Sequence, residues 1–216
     1  MKKILIVTSV FFAWTARAQA GIGCTPSTCT NPAHLYQKVY EVMVSTSADC
    51  TGLFPIFKNN SPTPLDWTTN PVIGAGVVPN GTYNCIAAKT DDIQTYVPAA
   101  DEGAGCVAGT TYTWDIFPTG AQSVAPDGST INGRGDNSNP PTSQVEDDPW
   151  SYMSINGSVN NTGSAPSSPY PLGSAWVVNG DVTHQIVVDF DGTIGTSTQY
   201  VTPYCAPIIP GSVFVR

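Results

Sequence analysis

The chain has 216 residues and a formal net charge of −8, from eight Lys and Arg against sixteen Asp and Glu. Only 11% of its residues are charged, so its polarity comes from Ser, Thr, Asn, Gly and Pro, which suits a turn-rich β-protein better than a helical one. The acidic balance disfavours nucleic acid and anionic lipid headgroups as partners.

The first twenty residues read as an export signal. Lys2 and Lys3 form a positive start, Ile4 to Trp14 an apolar run, and Ala18-Gln19-Ala20 a small-x-small cleavage site. The apolar run is too short to span a bilayer. Two alternatives are a buried N-terminal helix and a lipoprotein acylated at Cys24. The latter lacks a Leu three residues before the cysteine. Cutting after Ala20 leaves 196 of the 216 residues, enough for a single domain. It removes three basic residues and no acidic one, so five bases face sixteen acids and the net charge becomes −11. No second apolar run of spanning length follows, so no transmembrane helix is expected.

Six cysteines, Cys24, Cys29, Cys50, Cys85, Cys106 and Cys205, all lie beyond the cut. An even count in an exported chain points to disulfides, with the pairing left open. Cys24 and Cys29 are spaced for a local loop, whereas Cys205 must tie the chain end to a distant partner. No C-x-x-C occurs, and neither histidine stands at ligand spacing from a cysteine, which disfavours a thiolate metal site.

Period-two alternation punctuated by Gly, Pro, Asn and Asp dominates the rest. The first predicted strand runs from Leu35 to Val44, with Tyr36, Lys38, Tyr40, Val42 and Val44 on one face. Phe54–Phe57 is a short strand before a proline-rich loop. Val72 to Val78 is an apolar run with two glycines, and Pro79-Asn80-Gly81 turns the chain into a strand over Thr82–Lys89. Asp91-Asp92 makes a further turn before Ile93–Val97. Thr110–Phe117 alternates cleanly, with Tyr112, Trp114 and Ile116 on one side and Thr111, Thr113 and Asp115 on the other. Residues 118–149 lose pattern, as do residues 156–174, and these are the long polar loops of the chain. Trp150–Ile155 is a strand between them. Asn179-Gly180-Asp181 reads as the turn of a hairpin joining Trp176–Val178 to Val182–Phe190. Gln199–Thr202 and Ser212–Val215 complete the set. Nine or ten short strands, no fixed-period repeat and no intervening helices predict a single-domain, antiparallel β-sandwich, Ig-like or prealbumin-like, stapled by disulfides.

Val78-Pro-Asn-Gly-Thr-Tyr-Asn-Cys-Ile86 resembles the P-x-G-x-Y lead into a strand of secreted bacterial prealbumin-like or DUF4382-like domains. Ile186-Val-Val-Asp-Phe-Asp-Gly192 is similar to their aliphatic-D-F-D strand end. The two stretches cover roughly a tenth of the chain beyond the signal. The resemblance implies an envelope-associated sandwich and brings no catalytic residue with it.

Each candidate site has a plainer alternative. Asp189 and Asp191 are the best paired carboxylates and the candidate calcium ligands, against solvated turn acids or a catalytic pair. His184 sits on the apolar face of its strand, and His34 is expected on a surface loop. A Ser-His-Asp reading lacks a G-x-S-x-G elbow. Lys38 is a candidate for an isopeptide crosslink, against a snorkelling lysine at a sheet edge. Arg134-Gly135-Asp136 spells an integrin-type tripeptide in a polar loop. Glu146-Asp147-Asp148 reads as a solvated acidic run. Trp67 and Trp150 flank loops and are the candidate sugar-stacking residues, whereas Trp114 reads as core.

The leading expectation is therefore a non-catalytic exported protein of the bacterial envelope or exterior, with a structural or adhesin-like binding role. The alternatives are a carbohydrate-binding module, calcium-assisted at Asp189 and Asp191, and a secreted hydrolase. The candidate partners are a carbohydrate or an envelope protein, with no cofactor beyond that calcium.

Overall fold

A computed structural model describes residues 29–69, 71–74, 78–103, 105–117, 119–135, 145–156, 170–180, 186–189, 194–197, 204–207 and 212–215. These form eighteen short strands and one 3-10 turn, Trp67–Thr69. The first half contains β1 (Cys29–Thr30), β2 (Pro32–Gln37), β3 (Val39–Ser45), β4 (Phe54–Lys58), β5 (Leu65–Asp66), β6 (Gly81–Tyr83), β7 (Cys85–Thr90), β8 (Ile93–Pro98) and β9 (Tyr112–Asp115). The second half contains β10 (Gln122–Val124), β11 (Thr130–Asn132), β12 (Trp150–Ser154), β13 (Tyr170–Pro171), β14 (Trp176–Val178), β15 (Ile186–Asp189), β16 (Ile194–Ser197), β17 (Tyr204–Pro207) and β18 (Ser212–Val215). The fold is all-β, as the composition and alternation predict.

Two larger sheets organise the chain. One has the order β13-β12-β7-β3-β4 and the other β5-β2-β8-β9. Pairing within them is antiparallel except between β12 and β13. Smaller sheets pair β1-β16-β17, β10-β11, β14-β6 and β15-β18. Both larger sheets feed one hydrophobic core. Val42, Val44, Ile86 and Met153 enter it from the five-stranded sheet, and Leu35 and Tyr96 from the four-stranded sheet. Two sheets burying their apolar faces in a shared core is the sandwich solution for short alternating strands.

Disulfides staple this core. Cys50 pairs with Cys85, and Cys106 with Cys205 across 99 positions of sequence, which meets the expectation of a distant partner for Cys205. Cys29 is also disulfide-bonded; Cys24 lies outside the described residues. The Tyr96 hydroxyl donates to the Cys205 carbonyl at 2.6 Å, so the second bridge is seated by a buried hydrogen bond. No helix among the described residues is long and apolar enough to cross a membrane.

The structure corrects several local expectations. The single strand expected over Leu35–Val44 is two strands in different sheets, broken at Lys38, whose backbone N–H donates to the Asp91 carboxylate at 2.8 Å. Leu35 and Val39, rather than Tyr36 and Tyr40, are buried there. Thr82–Lys89 likewise divides at Asn84 between two sheets. The described residues of the Val72–Val78 run form no strand. The alternation of Thr110–Phe117 inverts at its end: Asp115 and Phe117 are buried, and Ile116 is 38% exposed. The inversion follows from a bend in which Asp115 Oδ1 accepts the Phe117 N–H at 2.9 Å. Residues 118–149, expected to be featureless, contain the β10-β11 hairpin. Among the described residues β14 pairs with β6, and β15 with β18; residues 181–185, which would carry the far side of the hairpin expected at Asn179-Gly180, lie outside them. Gly180 does adopt the positive φ of 75° that such a turn needs. Gln199–Thr202 lies outside the described residues.

Candidate binding groove

The antiparallel register of the five-stranded sheet puts Trp150 opposite Lys89, Lys89 opposite Glu41, and Glu41 opposite Lys58. Directly opposed residues share a face, so these four form one row across the sheet. Val42, Val44, Ile86 and Met153 occupy the reverse face and are buried in the core. Strand physics therefore divides the sheet into an apolar inner surface and an outer surface carrying an indole ring among charges.

The β10-β11 hairpin stands over that outer surface. Its turn is closed by Ala125 and Ser129, with the Ala125 N–H donating to the Ser129 carbonyl at 2.8 Å and Gly128 at φ 86°. The Asp127 carboxylate accepts from the Ser129 backbone and hydroxyl, at 2.9 and 2.7 Å, which holds it below its ordinary value. Ser123 docks the hairpin on β12: its hydroxyl donates to the Trp150 carbonyl at 3.0 Å and accepts the Trp150 N–H at 2.9 Å. The Tyr152 hydroxyl adds a bond to the Val124 carbonyl at 2.7 Å. Burial, with the nearby Asp127 charge adding to it, pushes the Tyr152 phenol up to about 12.

Between hairpin and sheet lies a groove of about 570 Å³, within the range of small-molecule sites. Trp150, Lys89, Glu41 and Met43 line it from the sheet. Pro126, Asp127, Ser129 and Ile131 line it from the hairpin, and Arg134, Asp147 and Asp148 complete it. Trp150 is half-buried, so its ring is fixed by the sheet while part of it stays accessible. Most of these charges are paired within the protein, while Asp127 is held by Ser129 and by no cation among the described residues. Lys58 pairs with Glu41 at 3.3 Å, Lys89 pairs with Asp148, and Arg134 Nε reaches Asp147 Oδ1 at 2.5 Å. Lys89 also lies 5.6 Å from the centre of the Tyr40 ring.

Behind the groove is a knot of buried acids that the sequence presents as turn residues. Asp91, Asp92, Asp115 and Asp147 are each at most 4% exposed. Asp147 thus departs from the solvated run expected for Glu146-Asp147-Asp148. Asp92 and Asp147 exchange bonds: Asp92 Oδ1 accepts the Asp147 N–H at 2.8 Å, and the Asp92 N–H donates to the Asp147 carbonyl at 3.2 Å. Asp147 in turn accepts the Arg134 N–H at 2.8 Å, and Arg134 donates to the Glu146 carbonyl at 2.9 Å. Burial pushes both Asp91 and Asp92 up to about 7, with the Asp115 and Asp147 charges adding to the effect on Asp92. Burial also acts to raise Glu146, but the Lys38 ammonium at 2.5 Å and the Tyr40 hydroxyl outweigh it and hold the group low.

Scans against protein-family models, curated proteins and solved structures return no match to this chain. The groove must therefore be read from its own chemistry.

Of the two tryptophans expected to stack on sugar, Trp150 lines the groove and Trp67 does not. Trp67 is 7% exposed, packed into the core from the 3-10 turn, and has no free face to offer. Trp114 is half-buried against the core. Asp189 ends β15 opposite Ser212; Asp191, its proposed companion at calcium, lies outside the described residues, as do His184 and Asp136. Among the described residues, no group of three or more His, Cys, Asp or Glu side chains is placed to hold a metal ion. His34 is on strand β2 rather than a loop, with Nδ1 2.7 Å from Asp66 Oδ2 and its ring stacked on Tyr36. Lys38 pairs with Glu146 and Arg134 with Asp147.

Proposed function

We propose that this chain is an exported, non-catalytic, adhesin-like binding protein built on a β-sandwich, and that its groove takes a neutral saccharide. The observation that carries the reading is Trp150, half-buried in the groove among cations that are already paired with carboxylates. An indole face packs the C–H side of a sugar ring, while carboxylates, Lys and Arg at its rim bond hydroxyls. A charged ligand would have to displace existing ion pairs, and an apolar one would desolvate them without replacement. The carboxylates in the groove are held by cations or by Ser129, an arrangement that suits accepting hydrogen bonds from a ligand rather than delivering a proton.

Export to the bacterial envelope or exterior is supported by the disulfides, which persist in oxidising compartments, and by the signal-like residues 1–20 with a cut near Ala20. The acidic surface keeps nucleic acid off the partner list. The prealbumin-like or DUF4382-like character of the scaffold is part of the same proposal. It rests on the sequence resemblance of residues 78–86 and 186–192.

The direct test is a tryptophan fluorescence titration with soluble oligosaccharides. Saturable quenching that disappears in Trp150→Phe or Trp150→Ala supports the reading. Quenching that persists unchanged in both variants contradicts it.

A further inference from the structure

Asp92 is fully buried in the turn between β7 and β8, one carboxylate oxygen accepting the Asp147 N–H and the other, Oδ2, without a hydrogen-bond partner among the described residues. A buried anion in that position is costly, because nothing donates to half of its charge. The groups that face it make matters worse. Asp115 approaches from the end of β9 and Asp147 from the segment before β12. Neighbouring Asp91 is itself buried, held by the Lys38 N–H at 2.8 Å and exposed to the charges of Lys38 and Glu146. Arg134 is the cation on this side, and it is already bound to Asp147.

The same contacts build one wall of the groove. Asp147 hangs on Asp92 by two bonds, and Arg134 hangs on Asp147 by its backbone N–H and by Nε. Both Asp147 and Arg134 line the groove. We propose that Asp92 is a proton-operated latch on the groove: with its proton it holds Asp147, and through it Arg134, in the wall, and on losing the proton it releases both. Ionisation strengthens the Asp147 N–H bond to Oδ1, but it puts charge on the orphaned Oδ2 beside the Asp115 and Asp147 carboxylates, and opening the segment to water relieves that buried charge.

The consequence for ligand rests on the saccharide reading of the groove: the site is formed under mildly acidic conditions and loosens as pH rises through neutrality. The latch itself stands apart from that reading and is tested without any ligand.

The experiment is amide hydrogen–deuterium exchange on the full chain, read as protection factors from about pH 5.5 to about pH 8.5 so that intrinsic base catalysis cancels. The Arg134 and Asp147 amides, whose acceptors are Asp147 Oδ2 and Asp92 Oδ1, should lose protection by about tenfold across this range. Amides of β3 and β7, which open through global unfolding, should instead follow the unfolding free energy at each pH. Asp92→Asn, which keeps an Oδ1 acceptor and cannot ionise, should flatten the profile at both positions. The wild-type profile alone suffices if that variant does not fold. A loss at Arg134 and Asp147 that only follows the unfolding free energy at each pH, or a profile unchanged in a folded Asp92→Asn, would overturn the proposal. So would a calcium-induced rise in protection confined to Arg134 and Asp147 in wild type and lost in Asp92→Asn, since that assigns the orphaned oxygen to a cation.

Discussion

Trp150 and Lys89 stand directly opposite one another across β12 and β7, so the indole ring and the ammonium share the outer face of the five-stranded sheet. Lys89 is paired with Asp148, two residues before Trp150. The ring and its polar rim are thus fixed by the same ladder, and the recognition surface is as rigid as the sheet that carries it.

Binding should be insensitive to salt. The groove's cations are matched by Glu41, Asp147 and Asp148, and a neutral saccharide changes no charge. The affinity of any oligosaccharide bound should shift by less than about twofold between low and high ionic strength. An affinity falling steeply with salt would point to an anionic or cationic ligand. Isothermal titration at two salt concentrations reads this.

The Cys106–Cys205 bridge should contribute strongly to stability. It closes a loop of sequence separation 99, and both cysteines are buried in the core cluster. Cys106→Ala with Cys205→Ala should cost about 3–5 kcal/mol in urea unfolding, the range for a loop of this length. A loss under about 1 kcal/mol would mean that the unfolded chain is constrained by other means.

Stability should fall as pH rises. Asp91 and Asp92 bind protons more tightly in the folded chain, at about 7, than a free aspartate does. Their contribution is complete below the unfolded value near 4 and is lost as pH passes through the folded value. The thermal midpoint should therefore drop by about 5 °C or more between about pH 5 and about pH 8. Asp91→Asn and Asp92→Asn should each flatten that slope in part. A midpoint that rises over this window would contradict the burial of both groups.

The hairpin wall depends on Ser123. Ser123→Ala removes both bonds to the Trp150 backbone and leaves a buried N–H to find another acceptor. The expected cost is about 1–2 kcal/mol. Saccharide affinity should fall with it, because the wall loses its anchor to the floor. Stability lost with affinity unchanged would separate the hairpin from the binding site.

The alternating residues carried the fold class, because period-two patterning and turn chemistry are local. Ile93–Pro98 and Trp150–Ser154 formed strands where Ile93–Val97 and Trp150–Ile155 were expected. What stayed hidden was set by tertiary contacts. Lys38 reads as one residue of a continuous strand, yet the chain changes sheets there because Asp91 captures its N–H. Asp115 reads as solvent-facing, yet it is buried where Phe117 takes the core position expected of Ile116. Of the site, Trp150 was visible as an aromatic beside a loop. Trp67 looked the same in sequence and is core, since flanking a proline-rich loop says nothing about which way a ring turns. The hairpin wall was obscured because β10 and β11 are three residues each, too short for alternation to register.

The most direct test of the account is a glycan array probed side by side with the wild-type chain and Trp150→Ala, with folding of both checked by their thermal midpoints. The account expects the wild type to bind a restricted set of neutral glycans and the folded variant to lose at least about tenfold of that signal. Equal signal from the two proteins, or no glycan bound by the wild type at all, would contradict it.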